Sequence, residues 1–359
     1  MVTDVLAREG FRAATTEKER IHEAVKLFQE GRNSLNPARQ ATLMEAFTTS
    51  DFPDLLAKGF TLQALAMAQT ITNEFEPILA DVQANDFEEH KLVDVWSEDS
   101  FEPVGEGEEY KGGTIKSIAK VLHQAKKHGK KYGLTFELRM RRNFNQLADF
   151  PRFLANGSVR GQKNAVANLM TNAEGAWNGN FFPTVGNEPL TRDSLKAALK
   201  TVRERKNHRG DKVGGDNLVL VYGEGLVDVV DEILNPVTEE VRRTDPETNV
   251  TTVTTQNNPL SGRVERLESD TLGDKLTNPN GWAIVKSATS DLPSLLRTTI
   301  PGLDTLDIRV KRDQGQYTSG GEVPIEQGSF NDDTIWYRGR DIWGIDQGFK
   351  EGVYASNGG

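Results

Sequence analysis

The chain has 359 residues, of which 36% are hydrophobic and 27% charged, and its formal net charge is −10 at pH 7. This acidic balance excludes a protein whose whole surface binds nucleic acid, although a local basic face against DNA stays compatible with it. With no cysteine, disulfides and thiolate metal sites are excluded.

No apolar run is long enough to span a bilayer, and the N-terminus lacks the layout of a signal peptide. We therefore expect a soluble protein made in the cytoplasm, with no membrane partner. The high glycine content beside a modest apolar fraction predicts two compact parts with extended arms.

Residues 1 to about 60 predict a helical arm. Glu17–Glu30 carries Ile21, Val25 and Phe28 at helical spacing, and Pro37–Phe47 repeats the pattern. One such helix cannot bury its apolar stripe alone. The two helices either form a small hairpin with its own core or lie on a neighbouring molecule.

After the arm comes a long segment in which acidic residues are followed by basic residues. Phe60–Ala80 can continue as helix, and Lys91–Trp96 and Leu134–Met140 alternate as strands. Between these strands an acidic run is followed by a basic run, and such runs are most often solvated faces. The apolar residues of the basic run fall at helical spacing, which favours a helical or irregular segment: Ile115, Ile118, Ala119, Leu122 and Ala125.

A long helix is predicted from Asp149-Phe150-Pro151, with proline in its first turn. A line of small residues runs along it, namely Gly157, Gly161 and Ala165. Glycine costs about 1 kcal/mol relative to alanine inside a helix. The line therefore indicates close packing or a deliberate bend.

The stretch from Leu190 to Leu234 gives the strongest local signals. Thr191 can cap a helix, Leu218–Tyr222 is apolar without alternation, and a second apolar helix stripe follows Gly223 and Gly225. The predicted arrangement is a strand in the middle of a sheet, covered on both faces, with a helix before it and a second helix after it that covers the same sheet.

Gly223-Glu224-Gly225 invites a dinucleotide-binding interpretation, which the chemistry does not support. The fingerprint needs a third glycine where Asp228 stands, and Glu224 would repel a phosphate. Two glycines that ease a tight turn from strand to helix are the better interpretation.

The C-terminal half predicts further strands. Val237–Gln256 reads as a surface hairpin with its turn at Thr244–Asn249, and strands follow in Asn258–Leu276 and Gly281–Val285. A closing strand lies within Gly328–Gly344. Its acidic turn, Asp332 and Asp333, is either a cation site where subunits meet or, as we expect, a simple loop.

The order of these features resembles the major capsid proteins of tailed phages, which have the HK97 fold. The most specific likeness is Pro103–Tyr110 followed by Lys131-Tyr132-Gly133, which looks like the extended hairpin, or E-loop, of that family. The closing strand within Gly328–Gly344 is the second most specific likeness. A tryptophan strand followed by a Pro-Leu element and a glycine also matches, through Trp282, Pro293, Leu295 and Gly302.

The resemblance implies an α+β protein with an axial domain, a peripheral domain with a long spine helix, an E-loop and an N-terminal arm. The implied segments are the N-terminal arm at 1–60, the first part of the peripheral domain at 61–93, the E-loop at 94–142, the spine helix at 143–185, the axial domain at 186–299 and the C-terminal peripheral strands at 300–359.

The resemblance also implies sites and partners. The E-loop tip would contact another subunit through Gly105, Glu106, Gly107, Glu108, Glu109, Tyr110 and Lys111, and the basic residues Arg152, Arg160 and Lys163 would face the shell interior. The implied partners are the protein itself in hexamers and pentamers, a separate scaffolding protein, portal and other virion proteins, and packaged double-stranded DNA in weak nonspecific contact. The implied location is the virion, after assembly in the host cytoplasm.

No catalytic residue, cofactor or metal site is predicted. An encapsulin-like cellular compartment shares the fold and stays open as an alternative. An enzyme with an α/β core would need convergent titratable groups, a nucleophile elbow or a phosphate loop, and the sequence has none of these.

Overall fold

The protein is described from a computed structural model. The structure describes residues 17–32, 71–104, 106, 108–137, 150–214, 216–235, 238–244, 251–321, 323 and 327–359, together with Ala46, Leu55 and Gly59. Across these residues, every helix is too short or too polar to cross a membrane.

The α-helices whose bounds are described are α1 (Glu17–Arg32), α2 (Phe150–Met170), α3 (Arg192–Glu204), α4 (Val227–Leu234) and α5 (Asp270–Lys275). The strands are β1 (Leu79–Gln83), β2 (His90–Trp96), β3 (Lys116–His123), β4 (Lys126–Leu134), β5 (Val185–Gly186), β6 (Leu218–Tyr222), β7 (Thr238–Thr244), β8 (Thr251–Asn257), β9 (Glu265–Glu268), β10 (Trp282–Lys286), β11 (Leu295–Thr299), β12 (Asp307–Val310), β13 (Ile335–Gln347) and β14 (Tyr354–Ser356).

The chain forms two compact units, each built from separate stretches. Unit 1 comprises Met1–Thr72, Lys126–Gly161 and Pro301–Trp343, and unit 2 comprises Asn73–Ala125, Gln162–Ile300 and Gly344–Gly359. The long elements α2 and β13 therefore contribute residues to both units.

Unit 2 is organised on a mixed sheet with the strand order β5-β14-β10-β6-β9. Strand β6 runs antiparallel to β10 and parallel to β9, and all five of its residues are buried. On one face, Leu218 and Leu220 pack in a cluster with α3 and α4. On the other face, Val219 and Val221 pack with the end of α2 and with a group of aromatic side chains. The prediction of a strand covered on both faces is confirmed.

Helix α3 begins at the cap that the sequence predicts. The hydroxyl of Thr191 accepts the backbone N–H of Ser194 at 3.1 Å, and Ser194 returns a hydrogen bond to the backbone N–H of Thr191. These bonds satisfy two N–H groups that a helix start leaves without partners. The apolar stripe of α3 is fully buried, namely Leu195, Ala198, Leu199 and Val202.

Unit 2 also contains part of a second sheet. Strand β1 pairs in parallel with β11, and β11 pairs antiparallel with residues 344–347 of β13. Arg297 on β11 binds Asp81 and Glu76, and hydrogen bonds to these carboxylates raise the pKa of its guanidinium despite burial. The hairpins β2–β3 and β7–β8 form separate two-stranded sheets. The predicted hairpin at Val237–Gln256 is therefore confirmed, while most of its turn lies outside the described residues.

Unit 1 contains residues 335–343 of β13 between β4 and β12, both antiparallel to it. Residues 150–161 of α2 belong to this unit, and the side chain of Leu154 lies against Gly339 of β13. The predicted helix Glu17–Glu30 is present as α1, whereas the predicted helix Pro37–Phe47 lies outside the described residues apart from Ala46.

The structure corrects three predictions from the central part of the chain. The basic segment is strand, in β3 and β4, and not helical or irregular. The strand predicted at Leu134–Met140 ends at Leu134, Phe136 and Glu137 are helical, and 138–140 lie outside the described residues. The helix expected through Ala80 is also wrong, since β1 begins at Leu79. Long-range pairing with β2, β13 and β11 provides backbone partners that outweigh local helical spacing.

The glycines of α2 give a testable contrast. A methyl group at Gly157 would meet no atom within 4 Å, whereas one at Gly161 would lie 3.1 Å from the ring of Trp343. Gly157→Ala should therefore raise the free energy of unfolding by about 1 kcal/mol, because it restores helix propensity without a clash. Gly161→Ala should give no such gain. Thermal or urea melts of the unassembled protein measure both, and equal effects would contradict this account.

Candidate assembly surface

The hairpin of β2 and β3 is the element that projects the predicted tip. Its strands pair from His90 opposite His123 to Trp96 opposite Lys116, with a register shift between Leu92 and Asp94. We call the His90–His123 end the root, and residues 97–115, which connect the strands at the far end, the tip loop. The predicted tip residues that the structure describes, 106 and 108–111, therefore lie at the end of a paired hairpin.

The tip loop is tied across its own width by charged groups. Lys116 donates to Glu98 at 2.5 Å, and Lys111 donates to Glu102 at 2.5 Å. The hydrogen bond from Lys116 lowers the pKa of Glu98. The carboxylate of Asp99 accepts hydrogen bonds from the backbone N–H of Thr114 and from the hydroxyl of Ser97. The loop is consequently shaped by local pairs near its base.

The surface of the tip loop is both acidic and apolar. Glu106, Glu108 and Glu109 are exposed, while Gly105 and Gly107 lie outside the described residues. Exposed apolar side chains accompany them, with Phe101 at 108%, Tyr110 at 85% and Ile115 at 78% relative exposure. Sequence reasoning selected the carboxylates and Tyr110 but missed Phe101 and Ile115. The sequence signal that could have identified Phe101 is an aromatic residue close to a proline and to charged residues, in a stretch without apolar periodicity.

The half of the hairpin nearer the tip loop is held to the loop after α3 by a charged cluster. Asp94 binds Arg209 through two hydrogen bonds, Nε to Oδ2 at 2.7 Å and Nη2 to Oδ1 at 2.6 Å. His208 Nε2 lies 2.6 Å from the same Oδ2 atom. The side chains of Asp94 and His208 are only 13% and 10% exposed, so solvent screens these contacts weakly.

Aromatic rings enclose the histidine of this cluster. Trp96 meets the His208 ring edge-on at 5.3 Å, and Phe349 stacks on it at 5.1 Å. Glu351 lies 3.7 Å from its other ring nitrogen. Hydrogen bonds from Arg209 and His208 lower the pKa of Asp94 against the opposing effect of burial, and the same contact raises the pKa of Arg209. None of these contacts was predicted, because they join segments more than a hundred residues apart.

A cavity of about 730 Å³ opens beside the root of the hairpin. We call it the root cavity. Its apolar lining includes Val121, Leu122, Leu169, Pro183 and Phe349, and its charged lining includes Lys120, Arg205, Lys350, Asp346 and Glu351. Lys120 and Lys350 are exposed, whereas Arg205 is half-buried and donates to the backbone carbonyl of Val353 at 2.5 Å.

Part of the charged lining is already engaged. Asp346 accepts the backbone N–H of Gln124 at 2.9 Å, and Lys350 donates to the carbonyl of Asn180 at 2.7 Å. Burial lowers the pKa of Arg205. The cavity thus combines an apolar interior with exposed ammonium groups at its edge.

The predicted interior basic residues have different environments. Lys163 donates to Glu74 at 2.9 Å, and Glu74 also accepts the hydroxyl of Ser269 at 2.5 Å. This lysine therefore serves an internal ion pair. Arg152 and Arg160 are exposed on α2. Their orientation toward a shell interior stays a prediction.

The remaining sequence candidates have structural explanations. A side chain at Gly223 would lie 3.1 Å from the Cα of Gly273, so this glycine permits close packing of α5 against the strand-to-helix turn. Asp332 accepts hydrogen bonds from the N–H of Thr334 at 3.2 Å and from Trp336 Nε1 at 3.3 Å. In the described parts of the chain, no group of three acidic or histidine side chains could hold a metal ion.

Comparison with known proteins identifies the class of the chain. The sequence profile of the family described as "Phage capsid protein" matches residues 118–356, more than half of the chain. The chain therefore belongs to this family of structural proteins. The prediction of a phage capsid protein, and not an enzyme, is confirmed by this match. A comparison with curated proteins finds no match.

Several solved structures are similar to the chain. A protein of Mycobacterium phage Patience shares 11% identity over 86% of this chain and 89% of that one, with a TM-score of 0.45. The capsid structure of cyanophage P-SCSP1u shares 9% identity over 79% and 86%, with a TM-score of 0.47. The mature capsid of bacteriophage PhiM1 shares 9% identity over 80% and 87%, with a TM-score of 0.44. Family membership rests on the sequence match and not on these likenesses.

The Asp94 cluster predicts a stability effect with a defined pH dependence. Asp94→Ala should lower the free energy of unfolding at pH 7 by roughly 1.5–3 kcal/mol, because it removes charge-assisted hydrogen bonds and leaves Arg209 half-buried without its carboxylate. The folded-state pKa of Asp94 is lowered. Its contribution is therefore fully present above the ordinary aspartate pKa of about 3.9 and is lost as the pH falls through the folded value.

The matched control is Asp86→Ala. It removes an exposed carboxylate that precedes the hairpin and binds His90, the first residue of β2. Denaturant melts of both variants and the parent, recorded from pH 7 down to the acid transition, measure the differences. The control should melt like the parent. A loss at Asp94 that persisted unchanged at the lowest pH would show that packing, and not the charge, is responsible.

Proposed function

We propose that this protein is the major capsid protein of a tailed phage, with the HK97 fold, and that it assembles as hexamers and pentamers of an icosahedral shell around double-stranded DNA. The observation that carries the proposal is the family match over residues 118–356. The hairpin supports it, because its tip loop exposes acidic and apolar side chains that a monomer leaves in water.

The described elements suit the parts of such a subunit. The sheet around β6 with α3 and α4 corresponds to the proposed axial domain, and α2 corresponds to the spine helix. We assign β12 and β13 to the peripheral strands and the β2–β3 hairpin to the E-loop. We also assign β4 to the peripheral sheet because it pairs with β13, although the range 94–142 expected for the E-loop includes it. We assign α1 to the N-terminal arm, which would lie across a neighbouring subunit.

The tip loop is proposed to contact an adjacent subunit. Glu106, Glu108 and Glu109 are exposed on it, and a basic surface of the neighbour would pair with them. Exposed ion pairs contribute little singly, typically under about 1 kcal/mol. A shell repeats each contact in every subunit, so small contributions accumulate into a preference for the assembled state.

We further propose a separate scaffolding protein, a portal and other virion proteins as partners, with assembly in the host cytoplasm before residence in the virion. Packaged DNA would contact Arg152 and Arg160, which are exposed on α2. Lys163 is the weaker DNA candidate because Glu74 already neutralises it. With a net charge of −10, contact with DNA would be nonspecific and sensitive to salt.

Electron microscopy of the purified protein, alone and co-expressed with scaffold, tests the proposal. We expect closed hollow particles, because heterologous contacts between identical subunits form closed assemblies when the rotation between neighbours closes. Sedimentation that shows only monomers or dimers under both conditions would contradict it. Particles filled with a co-purified enzyme and free of DNA after infection would favour the encapsulin alternative.

The acidic tip predicts a salt-dependent defect. Replacing Glu106, Glu108 and Glu109 together with lysine should leave the melting of the unassembled protein unchanged but suppress particle formation at low salt. Screening within about 10 Å at 0.1 M salt should reduce the defect. Light scattering during assembly, followed by microscopy, measures the yield of particles across a salt series.

The control is a triple variant with the same charge change at exposed carboxylates elsewhere, Glu174→Lys, Glu224→Lys and Glu265→Lys. It should assemble better than the tip variant at low salt. Equal assembly by the tip variant and the parent at low salt would mean that the tip carboxylates are solvated and make no contact.

A further inference from the structure

The tip loop exposes more apolar surface than its carboxylates explain. Phe101 is fully exposed, and Tyr110 and Ile115 are nearly so. Large exposed aromatic side chains are enriched where proteins bind one another, because each buries much area and loses little conformational entropy on binding. The tip loop therefore carries an exposed apolar side chain as well as exposed carboxylates.

The root cavity has the complementary properties. Its interior is lined by Val121, Leu169 and Phe349, and its exposed charged residues include Lys120 and Lys350. The cavity volume of about 730 Å³ lies within the roughly 300–1,000 Å³ of sites that enclose a small molecule. An aromatic side chain with its flanking backbone fits such a volume.

The cavity lies along the paired part of β3, from Ile118 to Leu122, and the tip loop begins beyond Lys116. Val121 and Leu122 of β3 line the cavity, and β3 is paired with β2 from His123 to Lys116 before the tip loop begins. With about 3.3 Å per residue, the paired strands hold the tip away from the root. Phe101 is fully exposed and so does not occupy its own cavity. The tip loop of a second copy offers an occupant with this chemistry.

From these observations we propose that the tip loop of one copy docks in the root cavity of a second copy, with Phe101 as the apolar anchor. Glu106, Glu108 and Glu109 would then meet Lys120 and Lys350 at the cavity edge. The inference rests on the proposed function and assigns the surface of the neighbour that receives the tip. Such a contact is heterologous, because the tip loop of one copy binds the root cavity of the next. Repeated contacts of this kind build a closed ring when successive rotations between copies add up to a full turn.

The chain contains no cysteine, so introduced thiols report on this contact without background. Ser100→Cys places a thiol beside Phe101 and keeps the aromatic ring, and Leu122→Cys places one in the lining of the cavity. Equimolar mixtures of the two single variants are assembled, oxidised and separated on a non-reducing gel. We expect a covalent dimer that requires both variants and disappears on reduction.

The matched control pairs Leu122→Cys with Ser261→Cys, an exposed serine in a turn of unit 2. Adding Phe101→Ser to the Ser100→Cys chain should reduce the dimer, because the anchor is lost. Gln347→Cys provides a second cavity position in case Leu122→Cys lowers the melting temperature.

The outcomes separate this inference from the proposed function. Suppose that particles form but Ser100→Cys gives no more covalent dimer than Ser261→Cys with either cavity cysteine. That result would overturn the docking and leave the proposed capsid function intact. Failure of the parent chain to form particles would count against the capsid function. In that case a specific dimer formed in concentrated solution would still support the docking, and its absence would overturn it.

Discussion

The two-sided burial of β6 is the constraint on which unit 2 depends. Leu218 and Leu220 project to one face and Val219 and Val221 to the other, and all four are at most 1% exposed. Each fully buried side chain of this size contributes about 1.5–3 kcal/mol, but only if a packed layer covers its face. The helices α3 and α4 cover one face, and the end of α2 covers the other. The loop after α3 is thereby positioned to bind the hairpin through His208 and Arg209.

Local signals sufficed where they agreed with the tertiary structure. The Thr191 cap, the stripe of α3, the uninterrupted apolar run of β6 and the hairpin β7–β8 were all predictable, because each depends on residues within one or two turns or strands. The start of α2 was predictable for the same reason. These elements locate the core and the order of the proposed domains.

The assembly surface could be predicted only in part. Strand β4 carries no alternation that identifies it, and its partner β13 lies about two hundred residues later in the chain. The contacts of Asp94 with His208 and Arg209, and the cavity that β3 forms with Phe349, likewise join distant segments. Sequence reasoning found the charged tip because composition alone marks it. It could not find the receptor surface, because that surface exists only after the chain has folded.

The arrangement of the hairpin explains how weak contacts can direct assembly. Binding costs free energy whenever a loop must be ordered at the interface, at roughly 0.5–1.5 kcal/mol for each immobilised long side chain. Here the ion pairs at the base of the tip loop and the Asp94 cluster on β2 order the hairpin within the monomer. The free energy needed to order the hairpin is therefore supplied when the monomer folds, and not when two subunits bind. In the proposed docking, burial of one aromatic anchor and a few screened charge pairs would favour association. Each single contact would stay weak enough to reverse, so misplaced subunits could leave a growing shell.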